Sequence, residues 1–152
     1  MQTREIPEGG ICISSFVVLN QTGFPNRVVM GRLNTSAAWD HIGALDPERA
    51  EANSKGWMLP SSHLVLGESP TTAADRILKE QLGLTNQTLA KPRVFSEAYG
   101  RLNHWDISFL FTGERAAIAS HPAWRELAFV DTAVAKKDEI ARAHEDILAE
   151  LG

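Results

Sequence analysis

The sequence predicts an α+β fold, a mixed β-sheet sandwich carrying helices, and three observations lead there. Five runs rich in β-branched and aromatic residues, 11–19, 27–33, 94–99, 105–112 and 127–130, read as strands. Two segments, Pro70–Leu82 and 134–151, carry their apolar residues at helical spacing. The two kinds of element mix without the regular βαβ alternation of a parallel sheet.

Residues 11–19, ICISSFVVL, form a run apolar enough for a buried strand. The turn formers NQTGFPN at 20–26 follow it and lead into RVVMGRL at 27–33, so the two strands are expected to pair as a hairpin. Residues 34–55 are polar and aperiodic. A short helical turn is expected at Asp46-Pro47-Glu48-Arg49, because proline suits a first helical position. About twenty residues is long for a connection, and connections of that length are usually functional or mobile.

Residues 56–60, GWMLP, read as a strand end, and 64–66 as another brief strand. The helix Pro70–Leu82 has signals at both ends: Ser69 to cap it, Pro70 at its first position and Gly83 to stop it. Two strands, 94–99 and 105–112, are joined by a turn at 100–104. After the strand at 127–130, residues 134–151 read as an amphipathic helix presenting Ile140, His144, Ile147 and Leu151 on one face.

At 152 residues the chain is expected to be one domain with a proper core. A hydrophobic share of 43% and a charged share of 22% are ordinary for a soluble globular protein. The net charge of -4 argues against nucleic acid as the main partner, since phosphate contacts need a basic surface. The single cysteine, Cys12, has no internal disulfide partner and is expected in the core. The first ten residues are polar, unlike a signal peptide, and no apolar run approaches the ~20 residues of a membrane span. No membrane partner is expected, and the cytoplasm is the expected compartment.

The stretch that carries chemistry is LPSSHLVLGESPTTAADRILKEQLGL, residues 59–84. With the order of elements around it, it resembles the Nudix hydrolase family. The family box runs glycine, five residues, Glu, seven residues, Arg-Glu-apolar-any-Glu-Glu-any-Gly-apolar. Without a gap, Glu68 matches the first Glu, Arg76 the Arg, Leu78 the apolar position, Glu80 one Glu of the final pair, and Gly83-Leu84 the ending. Trp57-Met58-Leu59-Pro60 resembles the lead-in, and Glu126-Leu127-Ala128-Phe129-Val130 a late strand of the family. Four positions depart: Ser61 and Ser62 stand where the family has glycines, and Ile77 and Gln81 where it has glutamates.

The resemblance implies a Nudix-like α/β/α sandwich with a mixed central β-sheet. It also implies magnesium or manganese as cofactor and a nucleoside diphosphate linked to another group as small-molecule partner. Family members are often dimers, so a homodimer is an expectation of the same kind. For metal it implies the Ser61 carbonyl, Glu80 and Gln81, and for catalysis Glu80 and Glu68. The candidate substrate contacts are Arg76, which in the family mainly holds box carboxylates, with His63 and Trp39.

Positions 77, 80 and 81 are neighbours on a helix surface, so carboxylates there would form an anionic cluster suited to a hard cation. Here Ile77 removes one, Gln81 offers a neutral oxygen, and Glu80 alone keeps its charge. Ile77 instead extends an inward face made by Ala74, Leu78, Gln81 and Leu82. The candidates for a replacement ligand or base are Glu97, His104, Asp106, His121 and Glu126, each more often an ordinary surface or strand-edge residue. In the long loop His41 with Asp40, Asp46 and Glu48 has no metal-ligand spacing; Trp39 could stack on a nucleobase, whereas Trp57 suits the core. Two functional readings stay open: a metal-dependent hydrolase, and a Nudix-fold module that binds a nucleotide-like ligand or a protein without cutting it.

Overall fold

The computed structural model describes residues 9–35, 55–99, 104–135, 139–141 and 144–151. Their elements are β1 (Ile11–Gln21), β2 (Phe24–Leu33), β3 (Ser61–His63), α1 (Pro70–Leu82), β4 (Arg93–Tyr99), β5 (His104–Arg115), β6 (Trp124–Asp131) and α2 (His144–Ala149). The strands form one open sheet in the order β4-β5-β1-β2-β6, with β3 also paired to β1. Strand β1 runs parallel to β5, and the other pairings are antiparallel. The sheet is therefore mixed, as the sequence predicts.

Successive strand residues point to opposite faces, and β1 uses that alternation to build two cores. Val17 and Leu19, with Val29 and Phe111, meet Ala74, Ile77, Leu78 and Leu82 of α1. Phe16 and Val18, with Val28, Met30 and Leu110, meet Leu59 and Ile147 of α2. A helix thus lies on each face, the expected α/β/α sandwich. The inward face expected for the first helix is present in full, since Ala74, Ile77, Leu78, Gln81 and Leu82 are all buried.

A smaller cluster of Leu33, Met58 and Trp124 packs at the end of the β2–β6 pair. Trp124 lies flat against Gly31, where a Cβ would sit 2.3 Å from the indole carbons. Gly31 also exchanges two backbone hydrogen bonds with Met58, at 2.9 and 2.8 Å, so the strand has no freedom to retreat. Gly31→Ala is expected to cost about 1–3 kcal/mol through overpacking. The urea midpoint should fall with an unchanged slope, and an unchanged midpoint would show that Trp124 has room to move.

Three expectations are corrected. Residues 64–66 are not a strand: the ladder ends where Leu64 N–H reaches the Ile13 carbonyl at 3.0 Å, and a turn through Gly67 (φ 84) follows. The last helix does not span 134–151. Among the described residues its α-helical part is α2, and Ile140 instead forms a parallel bridge to Trp57. The apolar face was nevertheless placed correctly, because Ile140, Ile147 and Leu151 pack in one cluster and His144 is buried. Cys12 is half-buried near the start of β1 and lies outside the core. The helical turn expected at 46–49 lies outside the described residues.

Candidate functional site

The site is a loop held against one face of α1. The loop begins at β3, whose residues Ser61, Ser62 and His63 pair with Phe16, Ser15 and Ser14 of β1. Beyond it the chain reverses in a turn closed twice by one residue. Glu68 N–H donates to the Val65 carbonyl at 2.9 Å, and Val65 N–H donates to the Glu68 carboxylate at 2.9 Å. Helix α1 then starts as the sequence dictates: Ser69 is extended, its hydroxyl accepts from Thr72 N–H at 3.1 Å, and Pro70 occupies the first turn. It ends at Gly83, left-handed at φ 66, whose N–H reaches the Lys79 carbonyl at 3.2 Å.

Arg76 ties the loop to the helix. Its Nε and Nη2 donate to the two oxygens of Glu68 at 2.8 and 2.9 Å, a bidentate pair. Nη2 also donates to the His63 carbonyl at 3.1 Å, and Nη1 to the Ser62 hydroxyl at 3.2 Å. The Arg76 and Glu68 side chains are only 14% and 9% exposed. The Glu68 hydrogen bond pushes the guanidinium further above its ordinary value, burial opposes it, and the charges of Glu68 and Glu80 add to the rise. Arg76 therefore acts here as a clasp between residues 62–68 and α1. Glu80, four residues on, faces solvent with a side chain 42% exposed and lies 3.8 Å from Arg76 Nη1.

The helix face towards Ser61 differs from a cation cradle. Gln81 is 5% exposed and makes two hydrogen bonds to one residue. Its Oε1 accepts from Ser61 N–H at 3.2 Å, and its Nε2 donates to the Ser61 carbonyl at 2.8 Å. The Gln81 backbone carbonyl, one of the helix-end acceptors without an intrahelical partner, accepts from Trp124 Nε1 at 2.8 Å. Ile77 is fully buried in the core. The residues present do not fit a divalent ion: the loop carbonyl is held by an amide N–H, position 77 offers no oxygen, and Glu80 points outward to Arg76 and solvent. Among the described residues no three His, Cys, Asp or Glu side chains gather as a metal-holding group.

The structure thus places Ser61, Glu68, Arg76, Glu80 and Gln81 around the loop. His63 adjoins them, with Nδ1 3.1 Å from the Ser14 hydroxyl. Beside them opens a cleft of about 400 Å³ between β1 and the loop, bounded by Ile11, Ile13, His63, Val65, Leu66 and Glu68. The other candidates serve elsewhere. Glu126 pairs with Arg32 at 3.5 Å, and Arg32 also lies 4.7 Å over the Trp57 ring, which packs against the core as expected. Glu97 and Asp106 sit opposite each other on β4 and β5, and His121 accepts from Ala123 N–H at 3.2 Å. His104 opens β5. Trp39, Asp40, His41, Asp46 and Glu48 lie outside the described residues.

Two residues of the site escape sequence reasoning. Trp124 holds the end of α1, and His144 accepts from Leu59 N–H at 3.0 Å, just ahead of the loop. Both act across 43 to 85 residues of chain, a distance at which no local pattern signals a partner.

No family model and no curated protein matches the sequence. The fold does match solved structures. A MutT NUDIX hydrolase from Burkholderia pseudomallei aligns at TM-score 0.62 and 12% identity, over 93% of this chain and 98% of its own. The MutT protein of Methanosarcina mazei Go1 aligns at 0.56 and 16%, over 85% and 80%. A bifunctional NMN adenylyltransferase/ADP ribose pyrophosphatase from Francisella tularensis aligns at 0.55 and 14%, over 99% of this chain and 42% of that one. The chain has the Nudix hydrolase fold.

Proposed function

We propose that this chain is a Nudix-fold protein that recognises a small nucleoside diphosphate derivative without cutting it through its box. The observation that carries this is the pair of hydrogen bonds between Gln81 and Ser61, in which a neutral side-chain amide stands at the loop carbonyl where a metal site would need a carboxylate. The ligand class follows the fold neighbours, one of which is a bifunctional NMN adenylyltransferase/ADP ribose pyrophosphatase. The cleft between β1 and the loop supplies largely apolar walls with His63 and Glu68 at one end, the mixture that small-ligand sites use. Among the described residues no helix is long and apolar enough to cross a membrane.

A second reading, hydrolysis with magnesium or manganese, is favoured by one observation: Glu68, Arg76 and Glu80 keep the spacing and mutual contacts of the box. On that reading Glu80 and Glu68 carry the chemistry. A panel of nucleoside diphosphate derivatives, ADP-ribose included, separates the two. With magnesium or manganese, wild type and Glu80→Gln are expected to show the same background, while calorimetry in EDTA detects ADP-ribose binding to both. Turnover that is present in wild type and lost in Glu80→Gln would establish the hydrolase and sink the binding reading.

A further inference from the structure

We infer that the Gln81 carboxamide is a built-in substitute for a loop-holding cation, and that one substitution, Gln81→Glu, converts this protein's stability from cation-independent to cation-dependent. The inference rests on the same Gln81–Ser61 hydrogen bonds as the functional reading, but its test reads stability alone. Turnover by the wild type would overturn that reading and leave this one standing.

The argument is one of atom types. Ser61 presents both a donor and an acceptor to α1, and a carboxamide supplies the matching acceptor and donor. Only one orientation of the amide serves, because a flip would set N–H against N–H and oxygen against oxygen. A glutamate of the same length satisfies the Ser61 N–H but sets its second oxygen where Nε2 is now, 2.8 Å from the Ser61 carbonyl oxygen. Two buried acceptors then face each other with nothing positive between them. A hard divalent cation relieves this, because it takes carbonyl and carboxylate oxygens and keeps waters for its remaining positions. In the wild type the amide N–H does the cation's mechanical work. The loop therefore keeps its shape beside the cleft with no ion bound.

Thermal unfolding with EDTA, magnesium or manganese tests this. Wild-type Tm is expected to be the same in all three. Gln81→Glu is expected to lose about 5 °C or more in EDTA at neutral pH, on the scale that links unfolding energy to Tm in a chain of this size. Millimolar manganese should recover at least half of that loss. Gln81→Leu, which keeps bulk but offers neither donor nor ligand, should lose stability and regain none with metal. Should Gln81→Glu fail to fold at neutral pH in EDTA, recovery of the folded state on adding manganese at neutral pH is read instead, with folding at about pH 5 in EDTA as the metal-free control. There a protonated carboxyl can donate to the Ser61 carbonyl as the amide does, and stability is lost as pH rises. A wild-type Tm raised by manganese, or a Gln81→Glu variant that metal leaves unchanged, overturns the inference.

Discussion

Ile77→Glu, which restores a family carboxylate to the box, is expected to unfold the protein rather than activate it. Ile77 is fully buried among Val17, Leu19, Val29 and Phe111, beneath the middle of α1. The change removes an apolar side chain whose burial contributes about 2 kcal/mol. It also places a carboxyl where no hydrogen-bond donor or cation waits, a further cost of several kcal/mol. The sum, about 4 kcal/mol or more, is a large part of a typical domain's stability. The variant's carboxyl would be held protonated by burial, with its folded pKa above its unfolded one. Residual stability is then greatest at low pH and lost as pH rises. Ile77→Val, the control, should cost only about 1 kcal/mol. Circular dichroism melts at pH 5 and pH 8 decide the matter. A glutamate variant within 1 kcal/mol of wild type at pH 8 would place residue 77 against solvent and reopen the metal site.

Arg76→Met is expected to cost about 3 kcal/mol, the lower end for breaking a buried ion pair from one side, and to lower Tm by roughly 6–12 °C. The substitution leaves the Glu68 carboxylate, 9% exposed, with its neighbouring cation gone. It also frees the His63 carbonyl and the Ser62 hydroxyl from their guanidinium donors. Arg76→Lys should recover little, because a point ammonium cannot span both oxygens of Glu68 and the His63 carbonyl together. Adding Glu68→Gln to Arg76→Met should cost less than the two single changes combined, since the second removes the charge that the first strands. Strict additivity would mean that the Glu68–Arg76 pair contributes nothing to holding the loop.

These outcomes turn on one helix face, and that face was legible early. The positions of Ala74, Ile77, Leu78, Gln81 and Leu82 follow from the 3.6-residue period, and the caps at Ser69 and Gly83 follow from local chemistry, so α1 is found where its pattern puts it. The resemblance implied that Arg76 bonds box carboxylates, and the structure shows Glu68, eight residues away across the helix start, as the main one. The last helix was not. Residues 134–151 carry a helical apolar pattern, but Ile140 gains a bridge to Trp57 and its neighbour Ala141 a hydrogen bond to the Trp57 carbonyl, which a continuous helix would forgo. Tertiary pairing outweighed local propensity there.

The sequence by itself determined the main strands, helix α1 and the face it buries, and the loss of negative charge from the box, because each is written in residues a few positions apart. Only the tertiary structure decided what replaces that charge. That Gln81 turns inward to hold both polar groups of Ser61, while Trp124 and His144 brace the two ends of the same frame, depends on partners 20, 43 and 85 residues distant. Hydrogen bonds of that range depend on how strands and helices stack, and stacking is a property of the packed core, not of any local run of residues.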